Sequence, residues 1–287
     1  MADLSRSGMK QLFHLELSIR PCLRDHCVKG KAVFPAVESL LALADEVRKR
    51  RPGALLTCQA DASFSKMLVL PSETDILPVQ IEIEERPKGI RASLQTLVIV
   101  QRVSVRRTME HARVTFVQED IPHQAAMSFQ AARTLGSNCI AVSADSVYRE
   151  WIPFGPSYRN LTGSVIVSRE GAFAEIAGGS GEADDTLLGS PFVPDAAMQA
   201  ACVWGRRYAG VTAFPTGFGR RIIYRPAKKN ETGYVRVVPV EESRGFFVFD
   251  VWIFDRREML CEVILGLKMS DIFRGRLQPP HGIGEGA

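Results

Sequence analysis

Phe13, Leu15, Leu17 and Ile19 alternate with His14, Glu16 and Ser18, the period of two that marks a half-buried β-strand. A loop from Pro21 to Phe34 follows. Pro35 then opens a helix, in the position where its fixed φ and missing N–H do no harm. Val37, Leu40, Leu41, Ala44 and Val47 recur at helical spacing until Pro52 and Gly53 stop the run. Alternating, β-branched stretches at 55–64, 67–70, 79–84, 92–103 and 105–117 predict one antiparallel sheet around a single long helix.

The pattern then breaks and restarts. Pro122, Gln124, Ala125, Ala126, Ser128, Gln130, Ala131 and Ala132 carry little sheet character and read as a linker. A short helix at 145–151, strands at 164–168 and 172–177, and a loop with Gly178, Gly179 and Gly181 come next. Pro194 opens a second helix over 195–207, and strands follow at 219–224, 234–240, 246–254 and 259–269. The two helix-opening prolines lie 159 positions apart in a chain of 287, so the chain reads as a tandem α+β repeat. The expected divisions are an N-terminal unit at 1–118, a linker at 119–143, a C-terminal unit at 144–275 and a flexible tail at 276–287. The second helix, with Ala196, Ala197, Met198, Ala200, Ala201, Val203 and Trp204, is apolar nearly all round and must be covered on several sides.

Composition narrows the field. With 46% hydrophobic and 24% charged residues, disorder and collagen-like structure are out. Apolar runs fall far short of the roughly 20 residues of a membrane span. The net charge of +4 comes from 36 basic and 32 acidic side chains spread along the chain. The longest basic run, Arg48-Lys49-Arg50-Arg51, sits at the end of the first helix, where it meets the helix's negative pole. Aromatic residues do not interleave with basic ones, so no nucleic-acid partner is expected. Residues 1–13 have no apolar segment or cleavage site, which points to a cytoplasmic protein. The six cysteines form no Cys-x-x-Cys pair and read as free thiols. Cys22, His26 and Cys27 lack a fourth ligand, so no metal site is expected.

Three segments carry candidate chemistry. The first, from Asp25 to Pro35, is His26-x-x-x-Gly30-x-x-x-x-Pro35; the second is Phe154-Gly155-Pro156-Ser157-Tyr158; the third is Pro194-Asp195-x-x-x-Gln199. Singly, each is ordinary: a loop histidine, a turn, an acid at a helix start. In this order and at these separations they resemble the dehydratase domains of polyketide and polyunsaturated fatty acid synthases, from about Phe13 to Ile272. Those domains have a double hotdog fold, two tandem units that each wrap an antiparallel sheet around a central helix.

The chemistry agrees with the resemblance. Removing water from a 3-hydroxyacyl thioester needs a base for the C2 proton and an acid for the leaving 3-hydroxyl. Histidine suits the first task, with an ordinary pKa of about 6.5. A carboxylic acid suits the second only where an apolar site raises its pKa. The resemblance implies His26 as base, Asp195 as acid and Gln199, on the same helix face, as its support. Gly30 and Pro35 would shape the histidine loop, and Phe154, Gly155, Pro156 and Tyr158 would line the substrate. Backbone N–H groups near the loop and helix would hold the thioester carbonyl. No cofactor is implied. The implied partner is an acyl carrier protein, alone or with a neighbouring synthase subunit, presenting a phosphopantetheine-linked substrate to a monomer or homodimer. Arg220, Arg221, Lys228 and Lys229 are candidate contacts for that acidic partner.

The chain departs from the family in three places: Ala36 stands where glycine is usual, Trp151-Ile152-Pro153-Phe154 where glycine and tyrosine are common, and Tyr158 where phenylalanine is usual. Four activities stay open on this scaffold: dehydration, product-template-like cyclisation or double-bond isomerisation, thioester hydrolysis, and acyl-thioester binding without catalysis. His14, His111, His123 and His281 sit outside the three motifs and are read as non-catalytic.

Overall fold

A computed structural model of the chain describes residues 10–100, 105–118, 126–179 and 187–273. The N-terminal half holds β1 (Lys10–Ser18), β2 (Cys27–Val28), β3 (Lys31–Phe34), α1 (Ala36–Arg50), β4 (Cys58–Phe64), β5 (Leu68–Val69), β6 (Ile76–Arg86), β7 (Gly89–Val100) and β8 (Val105–Val117). After α2 (Phe129–Arg133), the C-terminal half holds β9 (Ile140–Ser143), α3 (Ala144–Ser146) with a π turn at Val147–Trp151, β10 (Leu161–Ser168), β11 (Gly171–Ala177), α4 (Phe192–Ala209), β12 (Phe214–Ile223), β13 (Thr232–Ser243), β14 (Phe246–Asp255) and β15 (Leu260–Ser270). Twelve strands form one sheet in the order β1-β6-β7-β8-β4-β12-β15-β14-β13-β11-β10-β9. The halves join where β4 pairs antiparallel with β12, Gln59 opposite Arg221. Each half lays one helix on its own strands, α1 on β6, β7 and β8, and α4 on β10 to β14, and the two helices touch. This is the double hotdog arrangement.

The reason each helix lies inside is its sequence. The α1 stripe of Val37, Leu40, Leu41, Ala44 and Val47 is buried, while the other face reaches solvent. In α4 every residue from Phe192 to Gly205 is buried, as an all-round apolar helix requires. The helix starts at Phe192, two residues before the expected Pro194, with Pro191 at its cap. A proline fits there because the first-turn N–H groups have no partners inside the helix. Gly210, at φ 72°, ends it in the left-handed conformation.

Part of the stretch read as a linker is ordered. Ser128 caps α2 by accepting the Ala131 N–H, and Phe129 and Ala132 pack with Trp252, Phe254 and Val263. On β14, Trp252 and Phe254 belong to that small cluster, whereas Val251 and Ile253 belong to the main core. The alternation places α2 on the sheet face opposite α4. β9 pairs with β10 and forms the edge of the sheet. At four residues it is too short for its alternation to be read from sequence. Among the described residues, no helix is long and apolar enough to cross a membrane. Gly181, His123, His281 and the tail at 276–287 lie outside the described residues.

Candidate active site

His26 stands just before a small hairpin. β2 and β3 pair with Val28 opposite Lys31, and the two residues between them, Lys29 at φ 51° and Gly30 at φ 72°, are both left-handed. That is a two-residue type I′ turn. A Cβ on Gly30 would meet nothing, so the backbone angle, and not space, calls for glycine there. The preceding 3-10 turn, Pro21–Asp25, is pinned by Arg24, whose guanidinium donates to the carbonyls of Pro71 and Thr74 at 2.9 Å each. The His26 Nδ1 lies 2.9 Å from the Val33 carbonyl. A carbonyl can only accept, so Nδ1 carries the hydrogen and Nε2 presents a bare lone pair.

The acid comes from the other half. Asp195 sits in the first turn of α4 and Gln199 one turn later on the same face. The Gln199 Nε2 donates to Asp195 Oδ2 at 2.7 Å and to the Tyr158 carbonyl at 2.9 Å. Its Oε1 accepts from the Tyr148 hydroxyl at 2.7 Å, and that hydroxyl accepts the Leu161 N–H at 2.7 Å. Tyr148 thereby fixes the amide's orientation. Since Gln199 donates to Oδ2, the hydrogen of a neutral Asp195 carboxyl belongs on Oδ1.

Oδ1 is the oxygen that faces His26, 3.8 Å from Nε2. Both side chains are largely buried, with 13% and 9% exposed. Burial lowers the His26 pKa to about 4, the Val33 bond opposing it. Burial likewise raises Asp195 to about 7, against the pull of the Gln199 bond. Between these values the pair is a neutral imidazole and a neutral carboxylic acid, an acceptor and a donor side by side.

They open onto a cavity of about 620 Å³. Its walls include Met198 and Cys202 from α4, Phe64 from the end of β4, Met67 from the β4–β5 turn, and Phe214 and Met269 from β12 and β15. These are apolar side chains for an apolar guest. Of the expected substrate-lining residues, Gly30 and Phe154 reach the cavity, while Pro35, Gly155, Pro156 and Tyr158 do not. Pro35 caps α1, its carbonyl accepting the Ser39 N–H at 3.0 Å. Tyr158 is fully buried behind the pair. Its ring meets His26 edge-on at 5.1 Å, and its hydroxyl faces the Arg20–Glu38 ion pair. Phe154 packs against the imidazole at 4.4 Å, its ring also meeting Tyr158 edge-on at 6.2 Å.

One group differs from expectation. Arg221 is buried and bound through Nε and Nη2 to the two carboxylate oxygens of Glu262, at 2.7 and 3.0 Å, so it is not a surface contact. A strand arginine looks exposed in sequence until its partner, 41 residues away, is known. His111 lines the cavity with both ring nitrogens engaged, by Thr96 Oγ1 at 2.8 Å and the Lys66 carbonyl at 3.1 Å. Tyr148 and Glu38 belong to no motif and carry no local signal; only folding brings them to the pair. Among the described residues no cluster of His, Cys, Asp or Glu could hold a metal ion.

The site can be set beside known proteins. The family described as polyketide synthase dehydratase, N-terminal domain, matches residues 132–279. A polyunsaturated fatty acid synthase polypeptide of Thraustochytrium sp. (strain ATCC 26185 / S-3) is 27% identical over 223 residues, 74% of this chain. The chain spans 8% of that protein's length. The fold matches the dehydratase domain from the CurF module of the curacin polyketide synthase at TM-score 0.70, with 17% identity, covering 94% of this chain and 96% of that one. A trans-AT polyketide synthase dehydratase domain from Brevibacillus brevis matches at 0.70 with 18% identity, covering 92% and 94%.

Proposed function

The chain belongs to the polyketide synthase dehydratase family, and from that premise we propose that it removes water from a 3-hydroxyacyl thioester to give the 2-enoyl thioester. One observation carries the reading: His26 Nε2 and Asp195 Oδ1, one from each half of the chain, face each other at 3.8 Å beside a largely apolar cavity. His26 Nε2 takes the C2 proton, the C2–H electrons become the C2–C3 double bond, and the C3–O bond breaks as Asp195 Oδ1 protonates the leaving hydroxyl. Water departs, and the proton on His26 returns to Asp195 to close the cycle. With both groups within 3.8 Å of each other, hydrogen and hydroxyl leave from the same side of the substrate.

The substrate arrives on the phosphopantetheine arm of an acyl carrier protein, in the cytoplasm. Carrier proteins are acidic as a class, and Arg220 and Lys228 are exposed, with Lys229 half-buried beside them. Gln199 favours dehydration over product-template-like ring closure, whose domains more often have histidine at that position. No cofactor is required.

The test is turnover of a 3-hydroxyacyl thioester, on carrier protein and on coenzyme A, followed by mass spectrometry for loss of one water. His26→Ala and Asp195→Asn should each cost at least about a hundredfold while circular dichroism is unchanged. For the wild type, kcat/KM should be highest between pH about 4 and about 7, falling below as His26 is protonated and above as Asp195 ionises. Binding without reaction would make the protein an acyl-thioester-binding subunit. Release of a free acid would make it a hydrolase.

A further inference from the structure

We infer that Asp25 is the positioning residue of the base: it fastens the turn at Gly155–Tyr158, from the other half of the chain, against the loop that carries His26. Asp25 precedes His26 but is not part of the cavity wall. Its Oδ2 accepts the Ser157 N–H at 2.9 Å, across 132 positions of sequence. Its main-chain carbonyl accepts the Gly155 N–H at 2.8 Å. The carboxyl lies so close over Gly155 that a Cβ on that glycine would overlap it. This closeness gives the glycine of the second motif a physical reason, since any larger residue would push Asp25 away.

The fastened turn ends in one of the rings that pack against the imidazole, Tyr158 at 5.1 Å, and directly follows the other, Phe154 at 4.4 Å. His26's own loop gives its ring one hydrogen bond, to Val33; the aromatic cover that fixes its tilt and keeps water off comes from across the junction. The turn also has bonds of its own. Arg159 Nε donates to the Phe154 carbonyl at 2.7 Å and Asn160 Nδ2 to the Ser157 carbonyl at 2.9 Å. Loss of the Asp25 carboxyl leaves the main-chain bond to Gly155 in place and should therefore loosen the turn against the histidine loop without unfolding it.

The imidazole is faced by Asp195 from α4 and by Tyr158 from the turn, with Glu38 of α1 and Arg20 behind Tyr158; Asp25 and Cys27 adjoin it in its own loop. Asparagine at 25 separates the candidate causes, because its amide oxygen still accepts the Ser157 N–H but carries no charge. Gly155→Ala disturbs the same contact from the opposite side. The inference rests on His26 being the base, so the experiment pairs turnover with a readout that needs no substrate. That readout is NMR titration of the His26 imidazole in the wild type, Asp25→Ala, Asp25→Asn and Gly155→Ala.

Water reaching a loosened ring should raise the His26 pKa from about 4 toward its ordinary value in Asp25→Ala and in Gly155→Ala, by one unit or more. In Asp25→Ala kcat should fall about tenfold with KM within about twofold, the mark of a misplaced base rather than a lost binding contact. Asp25→Asn should titrate and turn over like the wild type. An unmoved titration in Asp25→Ala overturns the inference, and so does a shift in Asp25→Asn as large as that in Asp25→Ala. If the titrations behave as expected and no thioester reacts in any variant, dehydration fails while the positioning role of Asp25 stands.

Discussion

Each central helix begins with a buried carboxyl in its first turn, and the two are handled differently. On α1, Glu38 is met by a cation: Arg20 Nη2 lies 2.6 Å from Oε1. On α4, Asp195 is met by an amide, and no cation from the described residues is paired with it. Burial pushes both carboxyls upward, but at Glu38 the guanidinium pulls back, whereas at Asp195 only the Gln199 hydrogen bond does. The choice of partner thus decides what a buried acid can do. Beside arginine it is one half of an ion pair; beside glutamine it keeps its proton near neutral pH and can give it away.

The most drastic challenge to this contrast is to remove the cation. Arg20→Met leaves Glu38 buried at 5% exposure with no counter-charge, a change that costs on the order of 3 kcal/mol where the carboxyl must ionise. The sign follows from linkage. With its pKa raised further, Glu38 supports folding fully below the ordinary carboxylate value, and that support is lost as pH rises through the raised value. Urea unfolding should therefore show a small loss at pH 5 and the full loss at pH 8, and adding Glu38→Gln should recover most of it. An equal loss at both pH values would mean that Arg20 acts by packing alone.

How much of this contrast could be read beforehand depends on distance along the chain. The Pro-opened helix α1 and the alternating strands were legible because their signals are local, as was the pairing of Asp195 with Gln199 one helical turn apart. His26 and Asp195 were legible as candidates through three short motifs in order, but their 3.8 Å approach is a product of the sheet closing through β4 and β12. Arg20, Glu38 and Tyr148 gave no signal at all. Arginine near a strand end and glutamate in a helix start are ordinary surface choices, and only the fold buries Glu38 and sets the half-buried Arg20 against it. Arg221 misled for the same reason in reverse.

A gentler change probes the difference from the α4 side. Gln199→Leu deletes the one hydrogen bond that lowers the Asp195 pKa, so the alkaline limb of kcat/KM should move above its wild-type position near 7. The substitution also removes the constraint that puts the acid's hydrogen on Oδ1. About tenfold of kcat should go with it, which is about 1.4 kcal/mol of transition-state stabilisation. A downward shift of that limb would show that the amide destabilises the charged acid, opposite to the role drawn from its geometry.

The smallest effect belongs to Tyr148, which reaches the acid only through Gln199. Tyr148→Phe leaves the Gln199 Oε1 and the Leu161 N–H without the hydroxyl they share. Each of these two neutral hydrogen bonds is worth about 1 kcal/mol of stability, and only the one to Gln199 bears on the acid. The amide, still held by its bond to the Tyr158 carbonyl, would lose part of what keeps its oxygen away from Asp195, so kcat should fall about threefold with KM unchanged. A residue that works through another has no second effect once that other is gone. In a double-mutant cycle, Tyr148→Phe made on Gln199→Leu should therefore change kcat by less than about twofold, well inside the coupling seen between contacting residues. If the two losses multiply instead, Tyr148 bears on the acid by a route that bypasses the amide, and the chain of bonds from Leu161 to Asp195 is not how the proton is placed on Oδ1.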